Sequence, residues 1–422
     1  MIHDFLRRRG MSPEQVDLEE TCRRFYDDMT AGLAGKPASI FMLPTYLTHE
    51  GDLPKDTPVA VIDAGGTNAR VARVVMTDAG PSVEAHTVFP MPGSLQEVSR
   101  EDFFNRFADA LLPIITPCAA IGFCFSFPAE ITPDRDGKVL YFDKEVRVSD
   151  AEGMLLMEGL TAALAARGVP GLTGVVLNDT AAALLGGLSQ TDCSAYDGIL
   201  GLIWGTGINL CYAEPVANIA ALKGAETGTM LINTESGAFS NLTPGDFDRE
   251  LDAATKEPGR HLYEKMVAGA YLGEVIGRTV VGAAREGLLS ESFLTLNTLT
   301  TPQANHFLLG KAEDNPLAAL CRKDSDWTTL RDIIDALCLR SARLVGANLA
   351  AAILRADAGK SPDRPACIVV EGSTFYKSVL LRPHLAAVLD EVLVGKLGRH
   401  YTFLKPENAN LLGTAAAALL NR

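Results

Sequence analysis

The sequence is short of positive charge. Lys and Arg number 38 against 52 Asp and Glu, a formal net charge of −14 at pH 7. Nucleic-acid backbones and anionic membrane surfaces are met by basic patches, so neither is an expected partner. Paired cysteines are also lacking. Cys22, Cys118, Cys124, Cys193, Cys211, Cys321, Cys338 and Cys367 form no C-x-x-C motif, and most stand in apolar runs. That pattern argues against zinc knuckles and disulfide scaffolds and predicts buried, reduced thiols. The seven histidines make no His-Glu-x-x-His pair, which removes the zinc-hydrolase pattern. There is neither a Walker P-loop nor a dinucleotide-binding Gly-x-Gly-x-x-Gly. The N-terminal stretch MIHDFLRRRGMS has no apolar segment of signal-peptide type. No run approaches the roughly 18 uninterrupted apolar residues of a membrane span, and 344–356 reads as a buried helix. The expectation is a cytoplasmic protein, monomeric or homodimeric, with no nucleic-acid or membrane partner.

What is present is a large apolar fraction, 47% of 422 residues. One core rarely serves more than about 250–300 residues, which predicts two lobes. Ser12 and Pro13 have the chemistry of a helix start, and charges at helical spacing predict a helix over 13–33. Short apolar runs at 59–63, 71–75, 119–127, 174–177, 199–204, 209–214 and 366–370 predict strands. Helices are predicted at 100–117, 150–168, 180–188 and 413–420, and they dominate 244–356. A strand, a glycine turn and a returning strand occur once in each half. This order fits two similar α/β lobes facing a cleft.

The first glycine turn is Asp63-Ala64-Gly65-Gly66-Thr67-Asn68. Glycines let backbone N–H groups approach an anion, and Thr67 and Asn68 add side-chain donors. Asp63 at the strand tip could hold Mg²⁺ through water. A plain hairpin would use the same residues. Gly205-Thr206-Gly207 is the second turn, and a pair of such turns can clamp a polyphosphate. Asp179 follows a buried strand, where catalytic groups of α/β folds gather. A carboxylate there can accept a hydroxyl proton, or it can simply cap the next helix. Ser126, Asn178, Asn209, Glu235, Glu264 and Lys144 supply the amides, carboxylates and cation that a polyhydroxyl ligand requires.

Taken in order, these segments resemble the hexokinase family over nearly the whole chain. Met42–Tyr46 is similar to the family's entry segment, 61–70 to its first phosphate motif and 122–128 to a sugar-binding segment. Leu177-Asn178-Asp179-Thr180 resembles the catalytic segment, and 205–212 the second phosphate motif. The stretches 233–239 and 258–266 resemble two further sugar segments, and Glu371-Gly372-Ser373 the adenosine loop. The resemblance implies a two-lobed actin-like ATPase (ribonuclease H-like) fold. Residues 55–180 plus 407–422 would form the small lobe, and 1–54 plus 181–406 the large one. It implies an ATP-dependent hexose kinase working with Mg²⁺, on glucose or a related hexose. Asp179 would be the base. Ser126, Lys144, Asn178, Asn209, Glu235 and Glu264 would hold sugar. Asp63, Gly65, Gly66, Thr67, Asn68, Arg70, Thr206, Gly372, Ser373 and Gly413 would meet ATP, with no direct protein–metal bond. Departures from the pattern fall on the sugar wall: Phe142-Asp143-Lys144 stands for Trp-Thr-Lys, Ser236 for a tryptophan and His261 for a glutamine. A non-catalytic sugar or nucleotide sensor on the same scaffold is the alternative.

Overall fold

The computed structural model describes residues 1–142, 146–222 and 228–421. The chain opens with α1 (Ile2–Arg8) and α2 (Leu18–Leu33). The predicted helix over 13–33 is broken at its start, because Asp17 caps α2 by accepting from the backbone N–H groups of Glu19 and Glu20. Pro13–Gln15 forms a separate 3-10 turn. A short strand β1 (Leu43–Pro44) leads to β2 (Val59–Ala64), β3 (Asn68–Thr77) and β4 (Gly80–Pro90). Next come α3 (Arg100–Leu111), β5 (Ile121–Phe125), the hairpin β6 (Ala129–Ile131) and β7 (Gly137–Val139), α4 (Leu156–Ala165), β8 (Gly174–Leu177) and α5 (Asp179–Leu188).

The second half repeats the plan with β9 (Ile199–Trp204), β10 (Ile208–Pro215) and β11 (Thr229–Asn233). A helical block follows: α6 (Asp246–Ala254), α7 (Leu262–Val267), α8 (Gly269–Arg285), α9 (Thr301–Leu308), α10 (Pro316–Leu320) and α11 (Asp324–Arg355). The chain ends with β12 (Ala366–Glu371), α12 (Ser373–Lys377), α13 (Leu381–Leu389), β13 (Tyr401–Leu404) and α14 (Ala409–Leu420). By length and composition α11 could cross a membrane, but 83% of its most apolar window is buried inside the fold.

The strands form two sheets with one topology. The smaller has the order β4-β3-β2-β5-β8 and the larger β1-β11-β10-β9-β12-β13. In each, three consecutive strands pair antiparallel and two parallel strands are added beyond, and in the larger sheet β1 adds antiparallel to β11 at the far edge. β2 is buried along its whole length, as expected of a central strand. The helix after the last strand of each sheet packs toward the other sheet. α5 lies on β9, and α14 lies on β2 and β5. Alanines and leucines of α5 and α14 share one apolar cluster with residues of both sheets.

The α5–α14 contact is close. A methyl on Gly413 would lie 1.8 Å from the Ala182 carbonyl oxygen, and one on Gly186 would lie 2.3 Å from that of Ala409. Gly413 is therefore where α14 packs against the backbone of α5. The sequence pattern missed this because the restriction comes from a helix more than 200 residues away.

Candidate active site

Both glycine turns are hairpins, so the structural and the anion-binding readings describe the same backbone. At the first, the Gly65 N–H donates to the Asn68 carbonyl at 3.1 Å, and Thr67 and Asn68 are exposed. The Ser126 N–H donates to Ala64 at 3.2 Å, which brings the end of β5 beside the turn. Asp63 is buried at the end of β2. Its Oδ2 accepts from Arg70 Nη2 at 2.6 Å and Nε at 3.1 Å, which pairs Arg70 with Asp63. Asn410, on the first turn of α14, approaches Oδ1 at 3.5 Å. The Cys124 thiol lies beneath. Burial, then the nearby Asp63 and Asp179 carboxylates, push it far above the usual thiol range. Asp63 and Asp179 thus flank one buried sulfur.

Asp179 is the first residue of α5, one position inside the cap. The cap is Asn178, whose Oδ1 accepts from the Thr180 N–H at 2.9 Å. Asp179 Oδ1 also meets the Thr180 hydroxyl at 3.3 Å.

The second turn is pinned from two sides. The Gly205 carbonyl accepts from the Gly269 N–H at 2.9 Å and from Thr374 Oγ1 at 2.7 Å. The Thr206 carbonyl accepts from Ala270 at 3.0 Å. Gly372 packs against this turn at φ 121, and a Cβ there would be 2.3 Å from the Trp204 carbonyl oxygen. Only glycine lets the Gly372-Ser373 loop approach the turn so closely. The Thr206 side of the site and the Gly372-Ser373 loop are therefore one surface.

Glu235 and Glu264 bring the large lobe to Asp179. Glu235 sits in the left-handed region, φ 53 and ψ 44, an unusual conformation for a non-glycine residue that costs on the order of 1 kcal/mol. Its Oε1 accepts from Asn233 Nδ2 at 2.7 Å and from Asn209 Nδ2 at 3.3 Å, and Asn209 Nδ2 also reaches Asn233 Oδ1 at 2.8 Å. Glu264 Oε2 accepts from the Ile208 N–H at 3.2 Å, at the exit of the second turn. Burial holds the Glu235 carboxyl above its ordinary range. The amide bonds from Asn233 oppose that, and the Asp179 and Glu264 charges add to it.

Asp179, Asn209, Glu235 and Glu264 are therefore together, with Asn178 at their edge and Ser126 beside the first turn. Lys144 and Asp143 lie outside the described residues. Asn233 was missed in the sequence. Its only signal was the spacing Asn-Thr-Glu at a strand end, and its role depends on hairpin pairing with β10. Among the described residues no three His, Cys, Asp or Glu converge as a metal cage.

Hexokinase family models match residues 2–188 and 199–420. Hexokinase-2 from Rattus norvegicus is 31% identical, covering 93% of this chain and 45% of that protein. The chain spans about half the length of the curated relatives it matches. Among solved structures, hexokinase from Schistosoma mansoni complexed with glucose has a TM-score of 0.77 at 25% identity, covering 96% of this chain and 95% of that one. A ROK hexokinase from Thermus thermophilus, 18% identical, has a TM-score of 0.53 over 86% of this chain and 98% of its own, a likeness of fold.

Proposed function

The chain belongs to the hexokinase family, and on that premise we propose that it transfers the γ-phosphoryl group of ATP to the 6-hydroxyl of glucose or a related hexose. The carrying observation is that Asp179, from the strand end of the small sheet, lies near enough for its charge to act on the amide-held Glu235 of the large lobe. A hexose presents hydroxyls that are both donors and acceptors. Glu235 and Glu264 would accept from them, while Asn178 and Ser126 would supply donors and Asn209 would hold Glu235 in place. Asp179 then accepts the O6 proton as O6 attacks the γ-phosphorus. The bond from that phosphorus to the β–γ bridging oxygen breaks, and ADP leaves with those electrons.

The turn amides of Gly66 and Gly207, with Thr67, Asn68 and Thr206, would meet phosphate oxygens, while the Gly65 N–H closes the first turn onto the Asn68 carbonyl. The Gly372-Ser373 loop is placed for the nucleoside end. The donor set fits a magnesium ion carried by the nucleotide. Mg²⁺ keeps most of its waters and needs only one or two carboxylates, and Arg70 takes Asp63 Oδ2 while Oδ1 has the long Asn410 contact at 3.5 Å. When bound, Mg²⁺ would offset phosphate charge in a protein of net charge −14.

All eight cysteines are unpaired. Burial pushes Cys118 up to about 11 and Cys338 up to about 12. These unreactive thiols support a reducing compartment, the cytoplasm.

The test is ADP release over a panel of hexoses, with the phosphorylated carbon assigned by NMR. Sugar-stimulated ADP production and a 6-phosphate product are expected. Sugar-independent phosphate release would instead mark a simple ATPase, and ligand binding without turnover would mark a sensor.

A further inference from the structure

Lys265 carries its charge into the protein interior. Its side chain is 7% exposed. Its ammonium meets three acceptors: Asp252 Oδ1 at 2.6 Å, Thr255 Oγ1 at 2.9 Å and the Glu257 carbonyl at 2.8 Å. The Asp252 carboxylate also accepts from the Gly259 N–H, at 3.0 and 2.8 Å. All of these groups lie between 252 and 265. One ammonium–carboxylate pair thus gathers the end of α6, the following loop and α7.

Burying an ammonium costs several kcal/mol even after relaxation. An apolar residue on this face of α7 would avoid that cost, so the clasp is not explained by stability alone. What it fixes is direction. α7 has only six residues, too few to hold a helix by itself. Its N-cap, His261, is in the left-handed region at φ 53, and the His261 carbonyl accepts from the Lys265 N–H at 3.0 Å. Two further bonds hold the helix. The Tyr263 N–H donates to Phe239 at 3.1 Å, and Trp204 Nε1 donates to the Val267 carbonyl at 2.9 Å. Glu264 precedes Lys265, so the face locked to Asp252 sets where the Glu264 carboxylate points. Its Oε2 would be only 2.8 Å from a Cβ on Gly207, which leaves little tolerance for a rotated helix.

We propose that the Lys265 ammonium, clasped by Asp252, is a positioning group that sets where Glu264 meets the hexose. This rests on the hexose-kinase reading given above. Lys265 touches no substrate. Its loss removes sugar binding that is shared by the ground state and the transition state, which raises KM and spares kcat.

The experiment is steady-state kinetics of full-length Lys265→Met, with the exposed Lys256→Met as control and thermal melting as the check on folding. Lys265→Met is expected to raise KM for the hexose by about tenfold or more, to change kcat by less than about threefold and to leave KM for ATP unchanged. Lys256→Met is expected to match the wild type. Removing the ammonium alone leaves Asp252 without its counter-charge. If that variant does not fold, Lys265→Met with Asp252→Asn keeps an acceptor for Gly259 and is read the same way. A folded variant with wild-type hexose KM overturns the proposal. So does an equal rise in both KM values, or a double variant that also fails to fold. A wild type without sugar-dependent ADP release sinks the functional reading itself, whereas an active wild type beside an unaffected Lys265→Met sinks only the clasp.

Discussion

Glu235 concentrates the chemistry of this site in one side chain. Its backbone is left-handed and its side chain is half-buried, with two amides on it and two carboxylates nearby. The raised pKa has a definite sign. A carboxyl that binds its proton more tightly in the folded state than its ordinary 4.5 destabilises the fold above that range and is relieved as pH falls through the raised value. Glu235→Gln is therefore expected to melt higher than the wild type at neutral pH, with the gap closing below about pH 4, where both states are protonated. The same change should raise hexose KM by about 10- to 100-fold, the scale of a hydrogen bond to a charged group. Wild-type hexose KM should also climb as pH falls through the raised value, and that climb should be absent in Glu235→Gln. Melting curves and KM across pH check both statements. An unchanged melting temperature would mean that the buried charge is fully compensated by Asn209 and Asn233.

At the scale of elements, α5 and α14 carry the most sensitive contact. Two effects compete at Gly413. Helix propensity favours Gly413→Ala by up to about 1 kcal/mol. Overpacking against a backbone carbonyl costs about 1–3 kcal/mol. With a Cβ only 1.8 Å from the Ala182 oxygen, the steric cost wins. Gly413→Ala is expected to lower stability in chemical denaturation, and a gain would refute this packing.

Elements also show where the sequence was legible. The runs 174–177 and 199–204 became strands over those same residues, because burial on both faces leaves an unbroken apolar signature. The predicted helix over 150–168 starts only at Leu156. Asp136, from the β6–β7 hairpin, accepts from the Met157 and Glu158 N–H groups at 2.6 and 2.9 Å and supplies the start signal from outside. The predicted helix over 100–117 stops at Leu111, and Gly413 is mid-helix because α14 begins at Ala409. In the site, the glycine turns, Asn178 and Asp179 were legible because each is local. Asn209 and Glu235 were also singled out, but Asn233, which joins them, and the Lys265 clasp were not, since the first needs strand pairing and the second needs a folded loop.

At the scale of the molecule, two sheets of one topology each end in a helix that packs toward the other. α5 begins with Asp179 and lies on the large sheet, and α14 brings Asn410 to Asp63 on the small one. The first glycine turn and the second are thus equivalent positions in the two halves. On the proposed function, each half would supply one anion-binding turn, and Asp179 would be the proton acceptor. The account stands on that acceptor. The direct measurement is the initial rate of hexose-dependent ADP formation by Asp179→Asn beside the wild type, with hexose binding followed separately by tryptophan emission. A fall in kcat of about 10²- to 10⁴-fold with binding retained is the predicted result. Near-normal turnover in a folded, sugar-binding Asp179→Asn would contradict it.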